Sequence, residues 1–114
     1  MREKLFGTDG IRGRAGEEPL TAATLQRLGH CLAMRIKEGT VILGHDGRES
    51  GETIAASVAR GITEGGLNID ILGLTTTPCL AYLTKHGKYK AGIMISASHN
   101  PAEDNGIKLL GENL

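Results

Sequence analysis

Two short, uninterrupted apolar runs constrain the fold of this chain more than any other feature. They are residues 40–43 (TVIL) and 91–95 (AGIMI), both flanked by residues that favour turns or helix ends. Runs of this length and composition are typical of strands that are covered on both faces of a sheet. Residues 67–71 alternate apolar with polar side chains instead, which predicts a strand with one partly exposed face.

Helical periodicity fills the sequence between these strands. Leucine and isoleucine recur at positions 25, 28, 32 and 36, which predicts a helix over residues 22–37. Further helices are expected over residues 51–64 and from Pro78 to just before Gly87, and the expected N-caps are Thr21, Ser50 and Thr77. The order strand, helix, strand, helix, strand indicates an α/β fold: a mixed, largely parallel sheet with right-handed crossovers and helices on both faces.

Three loops follow the carboxyl ends of the expected strands, at residues 44–50, 73–77 and 96–108. Ligands of open α/β sheets bind at this edge. The third loop has the most varied chemistry, with two hydroxyls, an imidazole, two amides and an ammonium group from Ser96, Ser98, His99, Asn100, Asn105 and Lys108. We therefore expect the functional site there.

Three segments resemble one known family. Residues 96–101 (SASHNP) followed by 104–108 (DNGIK) are similar to the phosphoserine loop of the α-D-phosphohexomutases, and residues 6–14 (FGTDGIRGR) and 44–51 (GHDGRESG) agree with it in the same order. The opening segment is most similar to the bacterial phosphoglucosamine mutase branch. Family members have four domains, so the resemblance implies that residues 1–114 are the first, α/β domain, carrying the phosphoserine loop at 95–108, with the later domains absent from this chain.

The resemblance also implies an activity. It is that of a phosphosugar mutase, an isomerase that moves phosphate within one sugar through a phosphoserine, here between glucosamine 6-phosphate and glucosamine 1-phosphate. The expected partners are a sugar phosphate substrate and a sugar bisphosphate intermediate. Glucose or mannose phosphate as the substrate is one alternative, and a non-catalytic sugar-phosphate-binding or interaction module is another. Without later domains the chain is expected to be inactive alone and able to self-associate.

The same resemblance implies roles for four side chains. Ser98 would hold the phosphate covalently, Arg12 would face the phosphoserine, and Lys108 would act as a general acid or base. A lysine beside a phosphate dianion favours its charged form, so electrostatic stabilisation by Lys108 is the alternative. His99 is a further candidate for proton relay or for packing. Mg²⁺ would bind one oxygen of the Ser98 phosphate, with its other ligands in the missing domains.

Several alternatives follow from the residues alone. The side-chain chemistry of Ser96 and Ser98 is the same, so it does not show which serine is the nucleophile. Only the resemblance favours Ser98. Either Arg12 or Arg14, among the glycines at 7, 10 and 13, offers donors to an anion. A serine hydrolase is disfavoured because residues 97–99 lack the flanking glycines of a nucleophile elbow.

A metal cluster of residues 45, 46, 99 and 104 is weakly supported, because these residues lack a ligand spacing. We expect Asp46 and Arg48 to form an ion pair within their own loop instead. No GxxxxGK[ST] segment of a P-loop NTPase occurs.

Composition excludes other partners. Thirteen basic and 13 acidic residues balance, and only three aromatic residues occur, which disfavours binding to nucleic acid or to an anionic membrane. Cys31 and Cys79 match no CxxC spacing and are expected to be buried thiols in a reducing compartment. The first residues do not resemble a signal peptide, and a cytoplasmic location is expected.

Overall fold

The structure is a computed structural model that describes residues 10–98 and 100–111. Its elements in chain order are β1 (Ile11–Arg14), α1 (Ala22–Ile36), β2 (Thr40–His45), α2 (Gly51–Glu64), β3 (Asn68–Leu74), α3 (Thr77–His86), β4 (Ala91–Ile95) and β5 (Asp104–Leu110). Residues 6–9 of the glycine-rich opening segment, with Gly7, and the candidate residue His99 lie outside the described residues.

The strands form one sheet in the order β1-β5-β4-β2-β3. Strand β2 runs parallel to both β3 and β4, whereas β5 runs antiparallel to β4 and to β1. The sheet is therefore mixed, as expected. The predicted extent of the third loop, residues 96–108, was wrong. Residues 104–108 belong to β5, and only residues 96–103 connect β4 to β5.

Helices cover both faces of the sheet. One face packs against α1 and α2 through alternate strand residues, namely Val41, Leu43, Ile93, Ile95 and Ile107. On the other face, Ile42 and Met94 pack against Leu80 and Leu83 of α3. Because strand side chains point alternately to the two faces, these contacts bury β2 and β4 on both sides. The double burial explains their continuous apolar sequences.

The expected burial of both cysteines was wrong. Cys31 and Cys79 are exposed, and Met34 of the same helix as Cys31 is 62% exposed. Helix α1 buries the stripe that contains Leu25 and Leu32, and Cys31 lies off that stripe. A sulfur side chain at helical spacing therefore did not mark the core in this helix.

Details of the caps and of β3 also differ from expectation. Ser50 makes no capping hydrogen bond, and the cap of α3 is Thr76, whose hydroxyl accepts from the Cys79 amide. Strand β3 is longer than predicted and largely exposed on both faces, because it forms one edge of the sheet. In the described part of the chain, no helix has the length and apolar character needed to cross a membrane.

Candidate active site

Three loops meet at the carboxyl edge of the parallel strands, as the sequence predicts. The loop after β2 contacts the loop after β3 through the Thr75 amide, which donates to the His45 carbonyl at 2.9 Å. It contacts the loop after β4 through Arg48, which reaches main-chain carbonyls between residues 98 and 104. The candidate residue Ser98 lies in this third loop.

Ser98 is exposed and has an unusual backbone conformation. Its φ angle is +52°, in the left-handed region that costs a non-glycine residue of order 1–3 kcal/mol. The other non-glycine residues with positive φ in the described chain, Lys37 and Lys88, lie at or next to the ends of helices, where such angles are common. Ser98 has no helix end to explain its conformation.

Ser96, the rival nucleophile, is in a different environment. It is only 9% exposed, and its hydroxyl donates to Asp46 Oδ2 at 2.8 Å. Its Oγ also accepts from the Ser98 amide at 3.1 Å. With its proton and a lone pair both engaged, the Ser96 hydroxyl is less available for attack than the exposed hydroxyl of Ser98.

Arg48 holds the loop from the other side. Nη2 donates to the Ser98 carbonyl at 2.6 Å, and Nη1 donates to the carbonyls of Pro101 at 2.6 Å and Asp104 at 3.2 Å. Nε lies 3.4 Å from Asp46 Oδ2, which confirms the expected ion pair. The pair therefore organises the neighbouring loop as well as its own.

Arg12 reaches the same loop from β1. Its Nη1 donates to Asn100 Oδ1 at 3.1 Å, and Asn100 Nδ2 donates to Asp104 Oδ2 at 3.2 Å. Arg12 Nε is buried and has no acceptor among the described residues. A buried guanidinium N–H favours an added acceptor, and a phosphate oxygen is a strong one.

Lys108 lies on the same face of the sheet as Arg12. Arg12 pairs with Gly106 in the β1–β5 ladder, and Lys108 follows Gly106 by two positions. Because strand side chains have a period of two, Arg12 and Lys108 project to one face from neighbouring strands. The fold therefore brings the two expected cations together. Arg14, the alternative arginine, is exposed and lies near Glu17.

The suggested metal cluster is not formed by the described residues. They contain no group of three His, Cys, Asp or Glu side chains that could hold a metal ion. His45 Nδ1 accepts the Gly47 amide, and Asp46 and Asp104 accept from neighbouring side chains. These residues do not build a magnesium site on their own.

Asn105 has a structural role. It is fully buried, its Oδ1 accepts the Gly106 amide at 2.9 Å, and its Nδ2 donates to Ser50 Oγ at 2.9 Å. These contacts join β5 to the start of α2. They agree with the expectation that Asn105 maintains the local shape, and they explain why Ser50 does not cap its helix.

Sequence reasoning missed the reach of Arg48 and the position of Ser96 between Asp46 and Ser98. Fifty residues separate Arg48 from Ser98 and Asp46 from Ser96, so local spacing carries no sign of either contact. The available signal was topological, because the loops that follow two adjacent parallel strands must lie side by side.

Known proteins have similar sequences and a similar fold. Residues 3–113 match the family model described as phosphoglucomutase/phosphomannomutase, alpha/beta/alpha domain I. A phosphoglucosamine mutase from Crocosphaera subtropica is 53% identical over 109 residues, covering 91% of this chain and 22% of the relative. A phosphoglucosamine mutase from Deinococcus radiodurans is 47% identical over 112 residues, covering 95% of this chain and 25% of the relative.

A solved structure agrees. The crystal structure of a presumed phosphomannomutase from Thermus thermophilus superposes with a TM-score of 0.84 at 34% identity, covering 93% of this chain and 25% of that one. The chain thus spans about a quarter of the length of the relatives it matches. On this sequence match and shared fold, the chain belongs to the phosphoglucomutase/phosphomannomutase family and corresponds to its α/β/α domain I.

Proposed function

We propose that this chain is the phosphoserine-bearing domain of a phosphosugar mutase, with Ser98 as the residue that carries the phosphate. The observation that supports this most strongly is the geometry of Ser98. Its hydroxyl belongs to an exposed residue at the ligand edge of the sheet, and its left-handed backbone is bonded to Arg48 of the neighbouring loop and to Ser96 of its own loop. Strained residues of this kind cluster at functional sites.

The reaction consists of two phosphoryl transfers. In the first, the 1-hydroxyl of a sugar 6-phosphate attacks the phosphorus of phospho-Ser98. A sugar O–P bond forms, the Ser98 O–P bond breaks, and the hydroxyl proton passes to a base while the serine oxygen takes up a proton. In the second, Ser98 recovers a phosphoryl group from O6 of the bisphosphate, which leaves the sugar 1-phosphate. A covalent carrier thus divides one difficult rearrangement into two in-line transfers.

Arg12 and Lys108 are the cations proposed for these steps. Charge on the peripheral phosphate oxygens must be stabilised during transfer, and a planar guanidinium offers two parallel donors for that purpose. The Nε of Arg12, which has no acceptor among the described residues, is consistent with such a contact. Lys108 would supply a second charge or exchange the proton of the attacking hydroxyl. His99, directly after Ser98, remains a proposal for proton relay.

Magnesium is proposed as the cofactor. It would neutralise charge on the phosphoryl group, and one oxygen of the Ser98 phosphate would be a ligand, since Mg²⁺ prefers hard oxygen donors. The other ligands would have to come from outside the described residues, which form no metal cluster of their own.

Glucosamine 6-phosphate and glucosamine 1-phosphate are the proposed substrate pair, with glucosamine 1,6-bisphosphate between them. The names of the Crocosphaera and Deinococcus relatives support this choice. The name of the Thermus structure supports the alternative, mannose or glucose phosphate. Because these substrates are phosphorylated metabolites, we propose a cytoplasmic location.

We further propose that the 114 residues do not turn over substrate by themselves. They span about a quarter of the relatives' length, and the described residues supply no metal cluster. Sugar recognition and the remaining metal ligands would then be supplied by other domains. In isolation the chain would act as a weak sugar-phosphate-binding module.

A coupled mutase assay tests the proposal. The complete gene product that carries these residues should convert glucosamine 6-phosphate to glucosamine 1-phosphate faster than it converts the glucose or mannose phosphates. Ser98→Ala should abolish conversion, whereas Ser57→Ala, a matched change in α2, should not. Full activity of Ser98→Ala would refute the role of Ser98, and turnover by the 114-residue chain would refute the need for further domains.

A further inference from the structure

The left-handed conformation of Ser98 lies in a tight turn, in which the Asn100 amide donates to the Ala97 carbonyl at 3.0 Å. Ser98 is neither a glycine nor a residue at a helix end, and it lies in a connection between two strands. A non-glycine residue remains in this region only where its surroundings impose it. The turn and the contacts that the loop makes with other parts of the fold together hold Ser98 in this conformation.

Arg48 fixes the peptide group on the carboxyl side of Ser98. Its Nη2 donates to the Ser98 carbonyl at 2.6 Å, while its Nη1 binds the carbonyls of Pro101 and Asp104 farther along the loop. The Arg48 side chain is only 14% exposed, and its bonds to the carbonyls are charge-assisted, which makes them stronger than bonds between neutral groups. One guanidinium therefore sets the spacing between the two ends of the loop.

Asp46 and Ser96 fix the peptide group on the amino side. The Ser98 amide donates to Ser96 Oγ at 3.1 Å, and the Ser96 hydroxyl donates to Asp46 Oδ2 at 2.8 Å. Because the hydroxyl has one proton, the bond to the carboxylate directs a lone pair of Ser96 to the Ser98 amide. The same carboxylate oxygen lies 3.4 Å from Arg48 Nε. The hydrogen bonds of both peptide groups of Ser98 therefore lead to the same ion pair, Arg48 with Asp46.

We propose that Arg48, Asp46 and Ser96 are positioning residues that hold Ser98 in the conformation from which phosphoryl transfer occurs. They act on the backbone of Ser98 and leave its hydroxyl free for the phosphate. In-line transfer depends strongly on the placement of the reacting oxygen, so this restraint contributes to the rate rather than to binding of the sugar. The proposal rests on the proposed function, because it assumes that Ser98 is the phosphate carrier.

The first test measures the conformation without any reaction. In the 114-residue chain labelled with ¹⁵N, Ser96→Ala removes the acceptor of the Ser98 amide. Hydrogen exchange of that amide should become about fivefold faster, the effect of losing one ordinary hydrogen bond. Ser57→Ala is the matched control and should leave it unchanged. Unchanged exchange in Ser96→Ala, with the rest of the spectrum preserved, would overturn the proposal.

The second test separates positioning from general stability. In the complete gene product, Ser96→Ala and Arg48→Lys should lower kcat at least about tenfold with KM within twofold of wild type, because the restraint acts on the reacting oxygen. Ser96→Thr, which keeps a hydroxyl, should recover part of the loss. Arg60→Lys, which alters an exposed ion pair on α2, is the control for Arg48→Lys.

These readouts distinguish the two possible failures. A wild-type enzyme that never carries phosphate on Ser98 would refute the proposed function, whatever the hydrogen-exchange rates of the Ser98 amide are. An active wild type whose kcat is unaffected by Ser96→Ala and Arg48→Lys would leave the proposed function intact and overturn the positioning role. Equal loss of kcat in Ser96→Thr and Ser96→Ala would also count against it, because the hydroxyl would then not be the group that matters.

Discussion

Arg12 donates from Nη1 to Asn100 Oδ1 at 3.1 Å, across 88 residues of sequence. The bond connects β1 with the loop that contains Ser98, because Asn100 lies two residues after the serine. The Arg12 Nε is buried and lacks an acceptor among the described residues, so the guanidinium is anchored at one nitrogen and unsatisfied at another. Under the proposed function, this guanidinium would bind a phosphate that is gained and lost in each cycle.

Replacing Arg12 should therefore impair turnover more than folding. We expect Arg12→Met to lower kcat/KM of the complete gene product by about 100-fold, the typical loss when one preorganised donor to a developing charge is removed. Arg14→Met is the matched control, because Arg14 is an exposed arginine on the same strand. Equal activities of the two variants in the coupled assay would contradict the role of Arg12.

Lys108 should be needed whether it acts as a base or as a fixed charge. Lys108→Met is expected to lower kcat by about 100-fold or more, within the range of either effect. Lys108→Arg then separates the roles, since an arginine keeps the charge but does not release a proton in proteins. Lys90→Met, at an exposed lysine, is the control. Activity of Lys108→Met within threefold of wild type would exclude both roles.

Gly106 should not tolerate a side chain. A Cβ built at this position would lie 2.6 Å from the Ile11 carbonyl oxygen and 2.7 Å from that of Ser96, and both atoms belong to adjoining backbone. We expect Gly106→Ala to lower the free energy of unfolding by about 1–3 kcal/mol, as overpacking does.

Gly13→Ala is the control for Gly106→Ala, because it is also a strand glycine and its Cβ would meet only Pro19 Cδ at 3.4 Å. Urea unfolding of the 114-residue chain measures both. Similar midpoints for the two variants would show that the backbone around Gly106 is not as close as described.

Tyr89 should titrate above its ordinary range. Its hydroxyl donates to Asp70 Oδ2 at 2.6 Å, and this bond raises the pKa of the phenol because the bond requires the proton. The associated stability is present below the unfolded pKa of about 10 and is lost as pH rises through the higher folded value.

Phenolate absorbance measures the titration of Tyr89 directly. In Tyr82→Phe the chain has a single tyrosine and no tryptophan, so the signal belongs to Tyr89 alone. Adding Asp70→Asn should move the midpoint down towards about 10. A midpoint that does not respond to Asp70→Asn would contradict the hydrogen bond.

The regular elements of the fold could be predicted where one periodicity dominates. Helix α2 and strand β4 have the predicted bounds, because α2 has a helical apolar stripe, β4 is an uninterrupted apolar run, and turn or loop residues flank both. Strand β5 was missed because it begins with Asp104 and Asn105. The burial of Asn105 is made possible by Ser50, a partner that no local pattern reveals.

The candidate site was predictable in place but not in detail. The topology of the strands brought the three loops to one edge, and the resemblance of the loop sequence singled out Ser98. Arg48, which bonds to the Ser98 carbonyl, and Asp46, which bonds to Ser96, each lie fifty residues before their partner. Such contacts depend on side-chain reach in the folded state, which neither hydrophobic periodicity nor residue spacing encodes.

Phosphate at Ser98 is the central claim, and peptide mass mapping measures it most directly. The complete gene product, purified from its natural source without phosphatase treatment, should yield a peptide covering residues 91–108 that is about 80 Da heavier than the unmodified one. Fragmentation should place this mass on Ser98, and incubation with the sugar monophosphate should remove it. Phosphate on Ser96, or an unmodified Ser98 in an enzyme that is catalytically active, would contradict the claim.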